Sequence, residues 1–395
     1  MVAVATRRSV LLSGAALVVS ACRSTDSTAR ASRVGDKAPV TGVRTSARRG
    51  FSSLGGGDGE VSISAAEISA DLLTEHARVC RLPPGYVLVQ VLDDDRLIGL
   101  KSATDRSLDE HGEPRLGPLT LTMLRADDQR MLYETNGGSQ VVSVCANSTR
   151  SAIAFFELRD ALLDSFDFSV MHLDLVSGTV TECYRSDPNG PATPFDEITW
   201  LDDAVYFMAN QAHGGVERLD VMRWTVESGM QVVREEASNP RVANGRLYVK
   251  VRSAVDRERA ELVEIDPISG AAIGARLADG VAFYAPTAGG VLWGSHLDRK
   301  LHFTDDDGHA LDVGDVTLAN PTSGDECVAW QANNALNTGF SGYAWLPTRR
   351  RLVELGWLID ARADHEWLAW SALTFNSTSQ LYEGKEVVRV VRLVP

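Results

Sequence analysis

The residue patterns that would carry catalysis are missing from this chain. A serine nucleophile presented at a sharp strand-to-helix turn needs Gly-x-Ser-x-Gly. Gly339-Phe340-Ser341-Gly342 lacks the residue between Ser and the second Gly. Zinc held on one helical face needs His-Glu-x-x-His, and a thiolate zinc site or redox pair needs Cys-x-x-Cys; neither occurs. Asp305-Asp306-Asp307-Gly308 has the acidic density of a calcium loop. It lacks a bidentate Glu at the proper distance, so it reads as a hairpin turn. His296, His302 and His309 fall near one another at the spacing of no metal motif. No catalytic residue, metal site or cofactor is therefore assigned. The residue whose surroundings do point to a reaction is Cys22, a thiol that closes an apolar run at Val19-Ser20-Ala21.

That run begins after a basic pair. Thr6-Arg7-Arg8-Ser9-Val10-Leu11-Leu12 leads into apolar residues from Val10 to Val19. The run is too short to cross about 30 Å of hydrocarbon, which takes roughly 20 residues. A basic start, a short apolar run and small residues at the end describe an export signal. The pair Arg7-Arg8 resembles the twin-arginine export signal, with Val10 where that pattern has Phe. Val19-Ser20-Ala21-Cys22 resembles the lipobox of bacterial lipoproteins. The resemblance implies cleavage after Ala21 and a diacylglycerol on the Cys22 thiol, with palmitate-like acyl chains as the anchor. Each buried methylene adds about 0.8 kcal/mol, so two or three chains hold a protein on a bilayer without a transmembrane helix. The expected location is the cell membrane, lipid-anchored on the extracytoplasmic side.

Charge divides the chain. Residues 23–50 carry seven basic side chains against Asp26 and Asp36, while residues 51–395 sum to −21. Phosphate binding needs a basic surface, so the acidic body excludes nucleic acid as a partner. Residues 23–59 are rich in Ser, Thr, Arg and Gly and end in Leu54-Gly55-Gly56-Gly57-Asp58-Gly59. Such a segment cannot bury enough apolar surface to offset its ordering entropy, and it reads as a disordered, flexible tether. Cys80, Cys145, Cys183 and Cys327 could form two disulfides in three connectivities. A twin-arginine substrate folds in a reducing cytosol, which favours buried thiols. A bridge from Cys80 remains open as a staple for the ring described next.

The rest of the chain must be placed by its periodicity. A turn followed by an alternating apolar strand recurs at Leu97, Ile153, Val205, Leu247, Val291, Val328 and Leu368, with separations of 56, 52, 42, 44, 37 and 40 residues. These approach the ~40–45 residues of a four-stranded propeller blade. Out of phase with it runs a hairpin, as in Asp174-Leu175-Val176-Ser177-Gly178 and Asp266-Pro267-Ile268-Ser269-Gly270. This Asp-x-x-Ser-Gly hairpin resembles the outer hairpin of TolB-like and quinoprotein-like β-propellers, over about residues 85–395. The fold class is all-β: a seven-bladed β-propeller with four-stranded antiparallel blades after a disordered tether. Phe155, Phe207, Trp293, Trp330 and Trp370 then serve inter-blade packing.

The expected organisation is an export signal at 1–21, lipidated Cys22 and basic linker at 22–59, an extension at 60–84 and the propeller at 85–395. Ile68, Leu72 and Leu73 recur at helical spacing, so the extension reads as a short helix capping one end of the ring. The seven blades read as complete without it. The connections between second and third strands are long in several blades, whereas the opposite face carries tight turns. Long loops on one face of a repeat protein mark a binding face. Its candidate residues are Asp105, Asp109 and His111 in blade 1, Asp160 and Asp164 in blade 2, His213 in blade 3 and Asn334 in blade 6. The resulting expectation is a monomeric, membrane-anchored binding or scaffold lipoprotein for a protein or cell-envelope polymer. The alternative is a propeller enzyme, a carbohydrate-active hydrolase or lyase with carboxylates at the central channel.

Overall fold

A computed structural model describes residues 60–61, 73 and 76–393, apart from 94, 109–113, 126–127, 137–138, 160–166, 188–197, 214–215, 253–258, 315–320, 334–339, 373, 377–380 and 384–386. Cys22, Arg7, Arg8 and Ala21 lie outside the described residues, as do Ile68 and Leu72. The described chain is a seven-bladed β-propeller of antiparallel meanders. Blade 1 is Tyr86–Val91, Leu97–Leu108, Pro114–Leu124 and Gln129–Glu134. Blade 2 is Gln140–Ala146, Ala152–Leu158, Phe168–Asp174 and Val180–Arg185; blade 3 is Thr199–Leu201, Ala204–His213, Val216–Thr225 and Gly229–Arg234. Blade 4 is Ala237–Ala243, Arg246–Arg252, Ala260–Ile265 and Ala272–Asp279; blade 5 is Val281–Thr287, Gly290–Ser295, Leu301–Asp305 and Ala310–Gly314.

The last two blades share a strand. In blade 6, Thr322–Ser323, Val328–Asn333 and Phe340–Leu346 are followed by the long strand Arg351–Asp364. Its first half pairs with Phe340–Leu346, from Leu346↔Arg351 to Ser341↔Trp357. Its second half pairs with Trp367–Ala372 of blade 7, from Leu358↔Ala372 to Asp364↔Trp367. One strand is thus the outer edge of blade 6 and the inner edge of blade 7. Blade 7 continues into Val387–Leu393.

The recurrent apolar positions fall where the repeat places them. Leu97, Ile153, Val205, Leu247, Val291, Val328 and Leu368 all lie on second strands, and none is more than 4% exposed. Their neighbours form one apolar cluster at each blade-to-blade interface. Ile98 and Leu121 of blade 1 meet Ile153 and Phe155 of blade 2. Phe156 and Phe168 meet Phe207 of blade 3. Val221 meets Leu247 of blade 4, and Tyr248 meets Tyr284 of blade 5. Phe303 meets Trp330 and Trp345 of blade 6. Phe155, Phe207, Trp330 and Trp370 are buried as expected. Trp293 is half-buried and stacks on His302, with centroids 4.5 Å apart.

The Asp-x-x-Ser-Gly hairpin has a local cause. Asp174 Oδ1 accepts hydrogen bonds from the N–H groups of Val176 (2.9 Å) and Ser177 (2.7 Å). Asp266 Oδ1 does the same for Ile268 (3.1 Å) and Ser269 (2.7 Å). Such Asx turns fold from the side chain's own reach. Gly270 closes the second with φ 67°, and a Cβ there would lie 2.0 Å from the Val233 carbonyl oxygen of the preceding blade. Only glycine satisfies both demands.

Ring closure corrects one reading. Blade 7 is not complete without the N-terminal extension. Arg78–Arg81 pairs antiparallel with Val387–Leu393, Cys80 opposite Val388, and supplies the outer strand. Glu60–Val61 adds parallel pairing lower on the same edge, Glu60 opposite Arg392. Leu73 and His76 are helical, and Leu73 is fully buried among Cys327, Leu346, Leu368 and Trp370 between blades 6 and 7. The helical residue therefore wedges into an interface. Cys80 is not a disulfide staple: Cys80, Cys145, Cys183 and Cys327 are all thiols. Burial pushes the Cys183 thiol up to about 12, and that of Cys327 higher than its ordinary value. Leu73→Ala should lower unfolding stability by about 2–5 kcal/mol, the usual cost of such a cavity. A urea titration of the full chain reads this directly; an unchanged midpoint would show that the segment does not close the ring.

Candidate functional site

An antiparallel meander puts second–third connections on one face and the first–second and third–fourth turns on the other. The two faces are built differently. On the second–third face, two predicted loops are strands instead. In blade 1 the second and third strands stay paired beyond the four-stranded body, through Ser102↔Leu119, Thr104↔Leu116 and Leu108↔Pro114. In blade 3 the ladder runs through Asn210↔Leu219 to His213↔Val216. Blade 7 carries a separate small hairpin at this end, Thr374–Asn376 with Leu381–Glu383. Blades 7, 1 and 3 thus raise two-stranded ribbons on the same face, with blade 2 between the last two. Asp105 lies on the blade 1 ribbon and His213 at the end of the blade 3 ribbon. Asp109, His111, Asp160, Asp164 and Asn334 lie outside the described residues.

The blade 2 connection stands on a polar base. The Arg159 guanidinium donates to Ser169 Oγ (2.6 Å) and Glu182 Oε2 (2.7 Å), and lies 3.6 Å from Asp167. The Arg159 N–H donates to the Asp167 carbonyl at 2.8 Å, closing the two ends of the segment that holds Asp160 and Asp164. Beneath it, Tyr133 Oη of blade 1 donates to the buried Glu157 carboxylate at 2.6 Å.

The opposite face gathers titratable groups on its turns. Its first–second turns are short. Leu201↔Ala204, Ala243↔Arg246 and Asp364↔Trp367 each enclose a two-residue hairpin. Such turns demand positive φ, met by Asp202 at 54°, Asn244 at 48° and His365 at 48°. Arg150 in the blade 2 turn also sits at φ 57°. These turns lie nearest the axis, and their side chains reach past intervening blades. Arg150 of blade 2 passes blade 1 to meet Asp364 of blade 7 at 2.7 Å, with both side chains 11% exposed. Its second amino group lies 3.9 Å from Glu366. His365 Nδ1 lies 2.9 Å from Asp325 Oδ2 of blade 6. The other Asp325 oxygen accepts the backbone N–H of Asn244, from blade 4, at 3.0 Å. The Ala288 N–H of blade 5 donates to the Asp325 carbonyl, and the Glu326 N–H to that of His365. Gly324 permits this approach, since a Cβ there would lie 2.4 Å from the His365 carbonyl oxygen.

Burial and neighbours set the charges. Burial pushes the Asp364 carboxyl up to about 6, against the opposing pull of Arg150. The hydrogen bond to Asp325 raises His365, and the same bond, helped by Asn244, lowers Asp325. Burial and the Asp325 charge raise Glu326. Sequence reasoning missed this cluster. The only signal was that Gly324-Asp325 and Asp364-His365-Glu366 precede the second strands of blades 6 and 7.

Among the described residues, Asp305, Asp307 and His309 bring potential metal-ligand atoms within 4.8 Å of one another. They belong to the hairpin turn of blade 5, where the His309 N–H donates to Asp305 Oδ1 at 2.8 Å. Arg350 lies 3.5 Å from the other Asp305 oxygen, supplying a positive charge of the protein's own.

No protein-family model matches this chain, and no curated protein matches it. Solved structures do. The β-propeller domain of the Trilobed protease from Pyrococcus furiosus, described as having an open velcro topology, is 10% identical with a TM-score of 0.51, covering 81% of this chain and 98% of that one. An acylaminoacyl peptidase from Pyrococcus horikoshii is 11% identical at TM-score 0.50, covering 83% of this chain and 54% of that one. TolB from Acinetobacter baumannii is 12% identical at TM-score 0.44, covering 69% of this chain and 64% of that one. The chain spans about half the length of the acylaminoacyl peptidase it matches. At such identities the likeness to the first two establishes the propeller fold alone.

Arg150→Ala should be costly at pH 8 and milder at pH 5. Removing one partner of a buried ion pair costs about 3–5 kcal/mol because the other charge stays buried. Asp364 can discharge by taking a proton as pH falls through about 6. Urea unfolding at the two pH values reads the difference, and an equal loss at both would contradict the pairing.

Proposed function

We propose that this chain is an exported, lipid-anchored binding propeller whose ribboned face receives a protein or a cell-envelope polymer. The supporting observation is the clustering of ribbons on blades 7, 1 and 3 on one face, flanking the stapled blade 2 connection. Extended loops and ribbons gathered on one face of a repeat fold are a common form of binding surface. The acidic body favours a partner with basic groups.

The N-terminus supports the same arrangement. Glu60 pairs with Arg392, whose guanidinium lies 3.6 Å from Glu366 on the tight-turn face. Glu60–Val61 thus lies at that end of the blade 7 edge and runs in the same direction as Val387–Leu393. A tether of residues 23–59 acylated at Cys22 would hold the propeller at a bilayer. Among the described residues no helix is long and apolar enough to cross a membrane.

The convergence of Asp325, Asp364 and His365 favours a second reading, a propeller hydrolase or lyase acting on carbohydrate. It is the weaker one, because Arg150, Asn244 and the cluster's own members already engage these groups.

Cys22→Ala should release the protein from membranes or leave it unprocessed; membrane-bound, lipid-labelled variant protein would refute the anchor. Arg7→Lys with Arg8→Lys should block export, whereas normal export would exclude the twin-arginine route. Photo-cross-linkers at Asp105 and His213 should capture a partner in intact cells, and one at the exposed Val226 turn on the opposite face should not. Capture at Val226 alone would assign binding to the wrong face.

A further inference from the structure

The cluster at the tight-turn mouth does more than fill the channel. Arg150–Asp364 joins blade 2 to blade 7 past blade 1, and Asn244–Asp325 joins blade 4 to blade 6 past blade 5. His365–Asp325 joins blades 6 and 7. Hydrophobic interfaces hold each blade to its immediate neighbour. The first two of these polar contacts reach past an intervening blade to the next blade but one.

We propose that this cluster is an acid-released clamp, in which ionised Asp364 holds Arg150 and ties blade 2 to blade 7, and protonated Asp364 lets the two turns part. The chemistry follows from what surrounds each group. Arg150 faces Asp364 at 2.7 Å and Glu366 at 3.9 Å. Glu366 is shared with Arg392 at 3.6 Å. From blade 6, Asp325 and Glu326 face the cluster, with Arg349 acting on Glu326. From blade 7, His365 lies between Asp325, Asp364 and Arg150. The buried Cys327 thiol lies beside Glu326, Asp364 and Asp325. Once Asp364 is neutral, Arg150 keeps only a distant, shared carboxylate. A buried cation without a close counter-ion is unstable and turns toward water. Protonated His365 adds a like charge nearby and pushes the same way.

The proton acts between pH 7.5 and 5, since burial places the Asp364 carboxyl at about 6. The sign for the whole fold is opposite to that for the clamp. A carboxyl raised in the folded state contributes stability that is full below its unfolded value and is lost as pH rises through about 6. Acid thus relieves the fold of a buried charge while it undoes one tie. The clamp is independent of which partner the ribbons bind.

Amide hydrogen exchange on the full chain tests this. After correction for intrinsic rates, amides of residues 147–151 and 364–366 should exchange about tenfold faster at pH 5.0 than at pH 7.5, as local opening requires. Amides of the second strands should not change. Asp364→Asn should exchange fast at both values, with no step. Arg150→Gln should lose the step as well, which keeps the test valid if the Asn variant fails to fold. A wild-type chain with equal protection at both values overturns the clamp, as does either variant that keeps the step. A carbon-detected titration of wild-type Asp364 that places its proton below pH 4 also overturns it.

Discussion

Everything in this structure depends on closing the cycle. A blade has two apolar faces, and each is buried only against the next blade. A chain of seven blades satisfies all but the two outermost faces. Those two meet only if blade 7 docks on blade 1, as Leu88, Leu97 and Leu124 do against Trp367, Ala369 and Val390. Val387–Leu393 would otherwise end the sheet with an open edge, which invites pairing with other chains. Arg78–Arg81 covers it. Four residues suffice because they run on into Leu82, which is 2% exposed in the same interface. Leu73 adds a second anchor between blades 6 and 7.

Closure also decides where function can reside. With the faces of every blade spent on neighbours, the two ends of the ring and the outer strands remain. The two ends differ in what they display. The ribbon end offers extended backbone. The tight-turn end offers polar side chains that are largely saturated by each other. A partner can add contacts at the first without dismantling anything, whereas a ligand at the second must displace ion pairs already made.

What the sequence reveals follows the range of each interaction. The second-strand positions and the Asp174 and Asp266 turns are legible because their causes lie within a few residues. The blade 3 ribbon was legible in principle, since Gly214-Gly215 is a two-residue hairpin signal between Ala204–His213 and Val216–Thr225. The long-loop reading passed over it because polar Asn210 and Gln211 break the apolar pattern. The closing strand was not legible. Arg78-Val79-Cys80-Arg81 has little apolar character, and its partner lies at the other end of the chain. The axial cluster was the least legible of all. Arg150 and Asp364 stand 214 positions apart, each a single residue in its turn, so neither leaves a pattern.

The tight-turn cluster and the closing segment meet at one interface. The cluster between blades 6 and 7 contains Leu73 from the closing segment, Cys327 from the turn beside Asp325, and Ala363 next to Asp364. Packed interiors do not deform continuously; a shift of one wall is passed to the others. Gly324 tightens the link, because its backbone lies against that of His365 with no room for a Cβ. A displacement of the Asp364–His365 turn therefore presses on the surface into which Leu73 is wedged. Burial raises the Asp364 carboxyl to about 6, so the interface that the N-terminal segment closes abuts a group whose charge changes with pH.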